Sequence, residues 1–139
     1  MNTWFHWALL SAIFAALTAI FAKIGIQGVD SDLATLIRTA VIIVVLSIFV
    51  WLAGKWSNPL TLPSRTWLFL GLSGLATGAS WVCYFRALQL GDASKVAPVD
   101  KLSVALAIIL AAVFLGETIS VKTGIAAGLI ITGTLILIF

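Results

Sequence analysis

The sequence predicts an all-α integral membrane protein, with five transmembrane helices joined by short loops. Three observations carry this reading. Hydrophobic residues make up 62% of the 139-residue chain and charged residues only 9%, and the mean hydropathy is +1.19. A soluble domain carries about 25% charged residues, so there is too little polar surface here to cover a water-soluble globule. The apolar residues also gather into five runs, each near the ~20 residues that a helix needs to cross about 30 Å of hydrocarbon. Finally, the runs are continuous. A β-barrel would need alternating polarity along each strand.

The first span is expected over Trp4 to Ala22, closed by Lys23 and Gly25. It is longer than a signal-peptide core of roughly 7–15 residues and no Lys or Arg precedes it, so it reads as a retained span. Gln27, Gly28, Asp30, Ser31 and Asp32 make a polar turn. The second span runs from Leu33 to Ala53 and stops at Gly54-Lys55. Asn58-Pro59 and Pro63-Ser64 mark the next loop as a boundary. The third span, Trp67 to Leu90, is interrupted by Arg86 and ends at Gly91-Asp92. Ser94 is the expected N-cap of the fourth, over residues 95–115, with Pro98 near its first turn, where a missing N–H costs little. Gly116-Glu117-Thr118 then turns the chain, and Ser120 caps the fifth span, Val121 to Phe139. At this length residues 1–139 form one domain, and short loops make successive helices antiparallel.

Charge and aromatic placement come next. Five crossings place the two ends on opposite sides, here called side A (before Trp4) and side B. Lys55, Arg65 and Lys122 fall on side A, Lys23 and Lys95 on side B. That near balance gives the positive-inside rule no firm answer. A chain so balanced can insert both ways, and two oppositely inserted copies would copy the inverted repeats found within single-chain transporters. Trp4, Trp7, Trp51, Trp56 and Trp67 all fall near side A, as an interfacial belt requires; His6 shares that zone. Gly74 with Gly78, and Gly124 with Gly128, are G-x-x-x-G pairs that let helix backbones approach closely.

Several functions are excluded. The net charge of +3 comes from dispersed basic residues, which does not suit nucleic acid. Cys83 is the only cysteine and His6 the only histidine, so neither an intrachain disulfide nor a metal cluster is expected. Cys83 reads as a small packing residue. No nucleophile–base constellation and no phosphate-binding loop are present, so neither an enzyme nor a cofactor is expected.

Asp100 and Lys101 stand out within the apolar fourth span. Charges at the centre of a membrane helix cost roughly 2.5–3.5 kcal/mol each on insertion scales, and persist where they meet a partner, a cavity or a substrate path. Arg86 lies about 6 Å from the side-B end of the third span and Asp100 about 9 Å into the fourth, at a rise of about 1.5 Å per residue. Two readings stand: an Arg86–Asp100 salt bridge, or a cavity lined by Arg86, Asp100 and Lys101 that change partners as it opens. Helical spacing puts Ser103 on the Asp100 stripe and Gln89 on the Arg86 face. Trp81, Tyr84 and Phe85 would add stacking surface. Two cations beside one carboxylate favour an anionic or zwitterionic small molecule. Arg38, about one turn into the second span, is expected to snorkel to the side-B interface, and Glu117 to serve the side-A turn.

The stretch from Trp81 carries a resemblance. It reads Trp-Val-Cys-Tyr-Phe-Arg-Ala-Leu-Gln-Leu-Gly-Asp-Ala-Ser-Lys-Val-Ala-Pro-Val-Asp-Lys-Leu-Ser and continues to Leu115-Gly116-Glu117. Its aromatic-x-Ala-Leu stretch, Gly-x-Ala-Ser turn, Val-x-Pro helix start and terminal Leu-Gly-Glu resemble the EamA-like domain of the drug/metabolite transporter superfamily. Most members look like ten-helix proteins built from two inverted domains. This chain looks like the half-size, five-helix bacterial and archaeal group. The resemblance implies a secondary transporter of small metabolites or drugs in a prokaryotic cytoplasmic (inner) membrane, working as a homodimer. The small multidrug exporters of that superfamily use an acidic residue in the first span. Phe5 to Ala22 contains none, so that mechanism does not carry over. The alternative reading is a lipid-carrier flippase or an accessory membrane subunit that needs another partner.

Overall fold

In the computed structural model, which describes residues 3–139, the chain is helical with no strand among the described residues. Six α-helices follow in order: α1 (Thr3–Gly25), α2 (Ser31–Leu52), α3 (Ser64–Leu90), α4 (Ala93–Asp100), α5 (Leu102–Leu115) and α6 (Val121–Ile138), with a one-turn 3-10 helix at Pro59–Thr61. The segments Thr3–Gly25, Ser31–Leu52, Ser64–Leu90, Ala93–Leu115 and Val121–Ile138 are each long and apolar enough to cross a membrane. The five expected spans are therefore present.

Their ends differ from the sequence reading in instructive ways. α1 continues past Ala22 to Gly25, and the Lys23 Nζ near its end donates to the Leu88 carbonyl of α3 at 2.6 Å. α2 begins at Ser31, two residues early, because Asp30 rather than a loop residue further on caps it. The Asp30 carboxylate accepts from the backbone N–H groups of Asp32 at 2.9 Å and Leu33 at 3.1 Å, which satisfies donors no helical carbonyl can reach. α3 starts at Ser64, since the Pro63 carbonyl already accepts from Thr66 and Trp67. Ser120 does cap α6, accepting from the Thr123 N–H at 3.1 Å. Gly116 takes the left-handed conformation, φ +68°, that closes α5, a region closed to most side chains.

The fourth span is the main correction. Asp92, not Ser94, occupies its N-cap, without a side-chain cap bond. Pro98 consequently lies inside α4 rather than in its first turn. A proline there removes one i→i−4 bond and crowds the carbonyl of residue i−4, which here is Ser94. The helix tightens past it: Lys101 bonds back to the Pro98 carbonyl at 3.0 Å and Val104 to the Lys101 carbonyl at 3.0 Å, both three-residue steps. Lys101 thus divides the span into α4 and α5.

The described chain divides into two compact units. One holds Phe21–Leu90; the other holds the described residues up to Ile20 together with Gly91–Phe139. In the first, α2 packs on α3. Ser31 and Thr35, one helical turn apart, are buried on α2, and Phe85 and Leu88 on α3. Small side chains at that spacing permit close backbone approach. The α2 hydroxyls return to their own helix, Thr35 to the Ser31 carbonyl and Thr39 to the Thr35 carbonyl, each at 2.8 Å. Where no water is at hand, such bonds satisfy the polar hydrogen.

In the second unit α6 packs on both α4 and α5. Thr134 is buried on α6, and its hydroxyl lies 3.3 Å from the Pro98 carbonyl and 2.8 Å from that of Ile130. The carbonyl at the break is thereby engaged by both its own chain turn and the neighbouring helix. Elsewhere the large apolar side chains point outward, Phe14, Leu75 and Val113 among them, and Leu88 alone of the described large side chains is fully buried. That is the arrangement expected where lipid is as apolar as leucine and close packing, not water exclusion, holds helices together.

Candidate functional site

Charged and aromatic side chains inside the spans collect in each unit separately. In the unit Phe21–Leu90 they come from the first turns of α2 and the last turns of α3. Arg86 donates from one nitrogen, Nη2, to both Asp32 oxygens, at 2.9 and 3.1 Å. Asp32 stands in the first turn of α2, where a carboxylate also complements the helix dipole. Gln89, one turn beyond Arg86, reaches the same end of the unit, donating to the Val29 carbonyl at 2.7 Å. The shared face expected for Arg86 and Gln89 is thus used to tie α3 to the start of α2 and the turn before it. A cavity of about 290 Å³ opens beside these contacts, lined by Lys23, Ile26, Gln27, Gly28, Leu88 and Gln89.

Deeper in the same unit, Arg38 lies against α3. Its guanidinium carbon is 4.5 Å from the centroid of the Trp81 ring and 5.3 Å from that of Phe85. Trp81 and Phe85 are one turn apart, so both rings serve one cation. Arg38 does not simply snorkel outward: it is half-buried, and its contacts are ring faces worth roughly 0.5–2 kcal/mol, most where water is excluded. Tyr84 is half-buried and meets Phe85 edge-on at 6.4 Å.

The second unit holds the other candidates. Asp100 and Lys101 pair with each other, Nζ to Oδ2 at 3.1 Å. Ser103 is exposed in the first turn of α5. Within its own unit Arg86 pairs with Asp32, and within the other Asp100 pairs with Lys101. Asp32, expected in the polar turn, belongs instead to the first turn of α2. Its position two residues after the capping Asp30, where helices favour acids, was the available signal. Cys83 is exposed on α3 rather than packed within the unit. Trp4, Trp7, Trp51, Trp56 and Trp67 are exposed, as a belt would be, and Trp67 donates to the Pro59 carbonyl at 3.0 Å, fixing the side-A loop.

A five-span chain with ionisable side chains at a few span positions has the make-up of a transport protein, and the comparison with known families decides it. A family model described as the EamA-like transporter family matches residues 2–139. The chain belongs to the EamA-like transporter family. It is similar to a protein of Sinorhizobium sp described as an uncharacterized transporter in cobO 3'region, with 55% identity over 136 residues, 98% of this chain and 96% of that relative. No solved structure matches this chain. The EamA-like match covers nearly the whole sequence, well beyond the Trp81–Glu117 stretch that carries the resemblance, and the chain is a transporter and not an enzyme.

Proposed function

We propose that this EamA-like chain is a secondary transporter of small metabolites or drugs in a prokaryotic cytoplasmic membrane, alternating access as an antiparallel homodimer. The observation that carries the reading is the whole-chain family match on only five spans. A second, oppositely inserted copy would complete the inverted pair that alternating access uses. The near balance of loop cations between side A and side B favours that insertion. Gly74 and Gly78 on α3, and Gly124 and Gly128 on α6, support a close helix contact with a second copy. A side-chain carbon added at any of them would meet nothing within 4 Å of its own chain, so these faces are open to a neighbouring helix.

In this reading residues 1–139 act as one functional domain. Trp81, Tyr84 and Arg86 in one unit, and Asp100, Lys101 and Ser103 in the other, are the candidate substrate-path residues. Arg38, Arg86 and Lys101 against Asp32 and Asp100 leave an excess of positive charge within the spans. That balance favours an anionic or zwitterionic substrate.

The test is release from proteoliposomes loaded with small carboxylates, amino acids or alkylammonium ions, with protein-free vesicles as control. Protein-dependent release of one class supports the reading. No release of any class from cross-linked, dimeric protein would overturn it in favour of an accessory subunit.

A further inference from the structure

Arg38 lies further from its span end than Lys23, Arg65, Lys95 and Lys122 lie from theirs, and no described carboxylate pairs with it. Arg86 has Asp32, and Lys101 has Asp100. Arg38 lies over two ring faces, Trp81 and Phe85, with Tyr84 nearby and no ion pair to a described carboxylate. Seven residues separate it from Ser31, so it lies about 10 Å inside the helix start at ~1.5 Å per residue. A cation at that depth is costly unless it faces a partner, a cavity or a pathway. Ring faces relieve part of that cost but use none of the five N–H donors of the fork. Those donors match a carboxylate or another planar oxyanion, which guanidinium groups bind through two parallel bonds. Arg38 is half-buried, so part of the side chain is left uncovered by its own unit.

We propose that Arg38, backed by Trp81 and Phe85, is the anchoring residue for the carboxylate of a small organic acid or amino acid. This rests on the transporter reading and deepens it by naming the substrate class and the residue that selects it. The rings hold the guanidinium in place before the substrate arrives, so little side-chain freedom is lost on binding. The edge of Trp81 or the nearby Tyr84 gives an apolar substrate body a surface to lie on. Arg86 and Lys101 each already have a carboxylate partner, whereas the Arg38 fork has none among the described residues.

The test uses the full chain in dodecylmaltoside and sodium benzoate as probe, with benzyl alcohol and benzylammonium chloride as uncharged and cationic controls, read by titration calorimetry. Benzoate binds and the controls do not. Arg38→Gln weakens benzoate binding at least tenfold, and Arg38→Lys, which keeps the charge but loses the fork, weakens it by several-fold. Elution profile and circular dichroism confirm that each variant is folded. Should Arg38→Gln not fold, Arg38→Lys and Trp81→Leu carry the test. Benzoate affinity unchanged in a folded Arg38 variant, or absent in the wild type, overturns the proposal. Phosphatidylglycerol bound in nanodiscs in competition with benzoate, and lost in Arg38→Gln, would give the site to a lipid headgroup and also overturn it. Binding in detergent does not depend on subunit orientation, so failure of the antiparallel dimer would leave this result intact. Conversely, failure here would leave transport of cationic or neutral solutes standing.

Discussion

Asp32→Asn separates two contributions that meet in one carboxylate. The first is the pair with Arg86. Both side chains are more than half exposed, 59% and 53%, and exposed pairs measure about 0.2–1 kcal/mol. The geometry argues for the middle of that range. A single Arg86 nitrogen serves both oxygens, so the two parallel bonds of a fork are missing. The second contribution is the charge in the first turn of α2, about 0.3–1 kcal/mol. Asp32→Asn is therefore expected to lose about 1 kcal/mol, and Arg86→Gln about 0.5 kcal/mol, by the same two principles. The coupling between them in a double-mutant cycle is about 0.5 kcal/mol. Unfolding in mixed dodecylmaltoside–dodecyl sulfate micelles, followed by tryptophan fluorescence, measures all four corners. A coupling near zero would refute the pair. A coupling above about 2 kcal/mol would refute the argument from exposure and place the pair in a desolvated setting.

Three further outcomes are expected. Thr134→Val removes the hydroxyl that engages the Pro98 carbonyl with little change of shape; interhelical bonds in membranes average about 0.6 kcal/mol and reach about 1.7, so a loss in that range should appear in the same titration. Asp100→Asn is expected to cut proteoliposome transport at least several-fold while folded yield falls less; equal losses would make the Asp100–Lys101 pair structural. Gly78→Leu meets open space within its own chain, so monomer yield should hold while cross-linked dimer falls; unchanged dimer would take this face out of the subunit contact.

How much of this could be read in the sequence follows from the range of each interaction. The five spans are set by hydropathy alone, and Ser120 by a local capping pattern, so both were legible. The break at Lys101 was half legible. Pro98 and the charges beside it were plain, but assigning the cap to Ser94 instead of Asp92 moved Pro98 into a harmless first turn. The two-residue shift hid the lost bond at Ser94. Asp32 is obscured for a similar reason: the polar cluster from Gln27 to Asp32 has the composition of a turn, yet its second half belongs to a helix. The Arg38–Trp81–Phe85 contact depends on how α2 and α3 are rotated against each other. The stripe Ser31, Thr35 and Thr39, small residues four apart, was the sequence signal for that packing face. The exposure of Cys83 depends on the same rotation.

Subunit orientation tests the account most directly. In a Cys83→Ala background, single cysteines at Ser57→Cys in the side-A loop and Gln27→Cys in the side-B turn would be labelled in intact cells with a membrane-impermeant maleimide. The account predicts that each site reacts in about half of the molecules before lysis and fully after it, and that purified dimers cross-link Ser57→Cys of one copy near the membrane face carrying Gln27→Cys of the other. Full labelling of one site and none of the other would show a single orientation and contradict the antiparallel transporter.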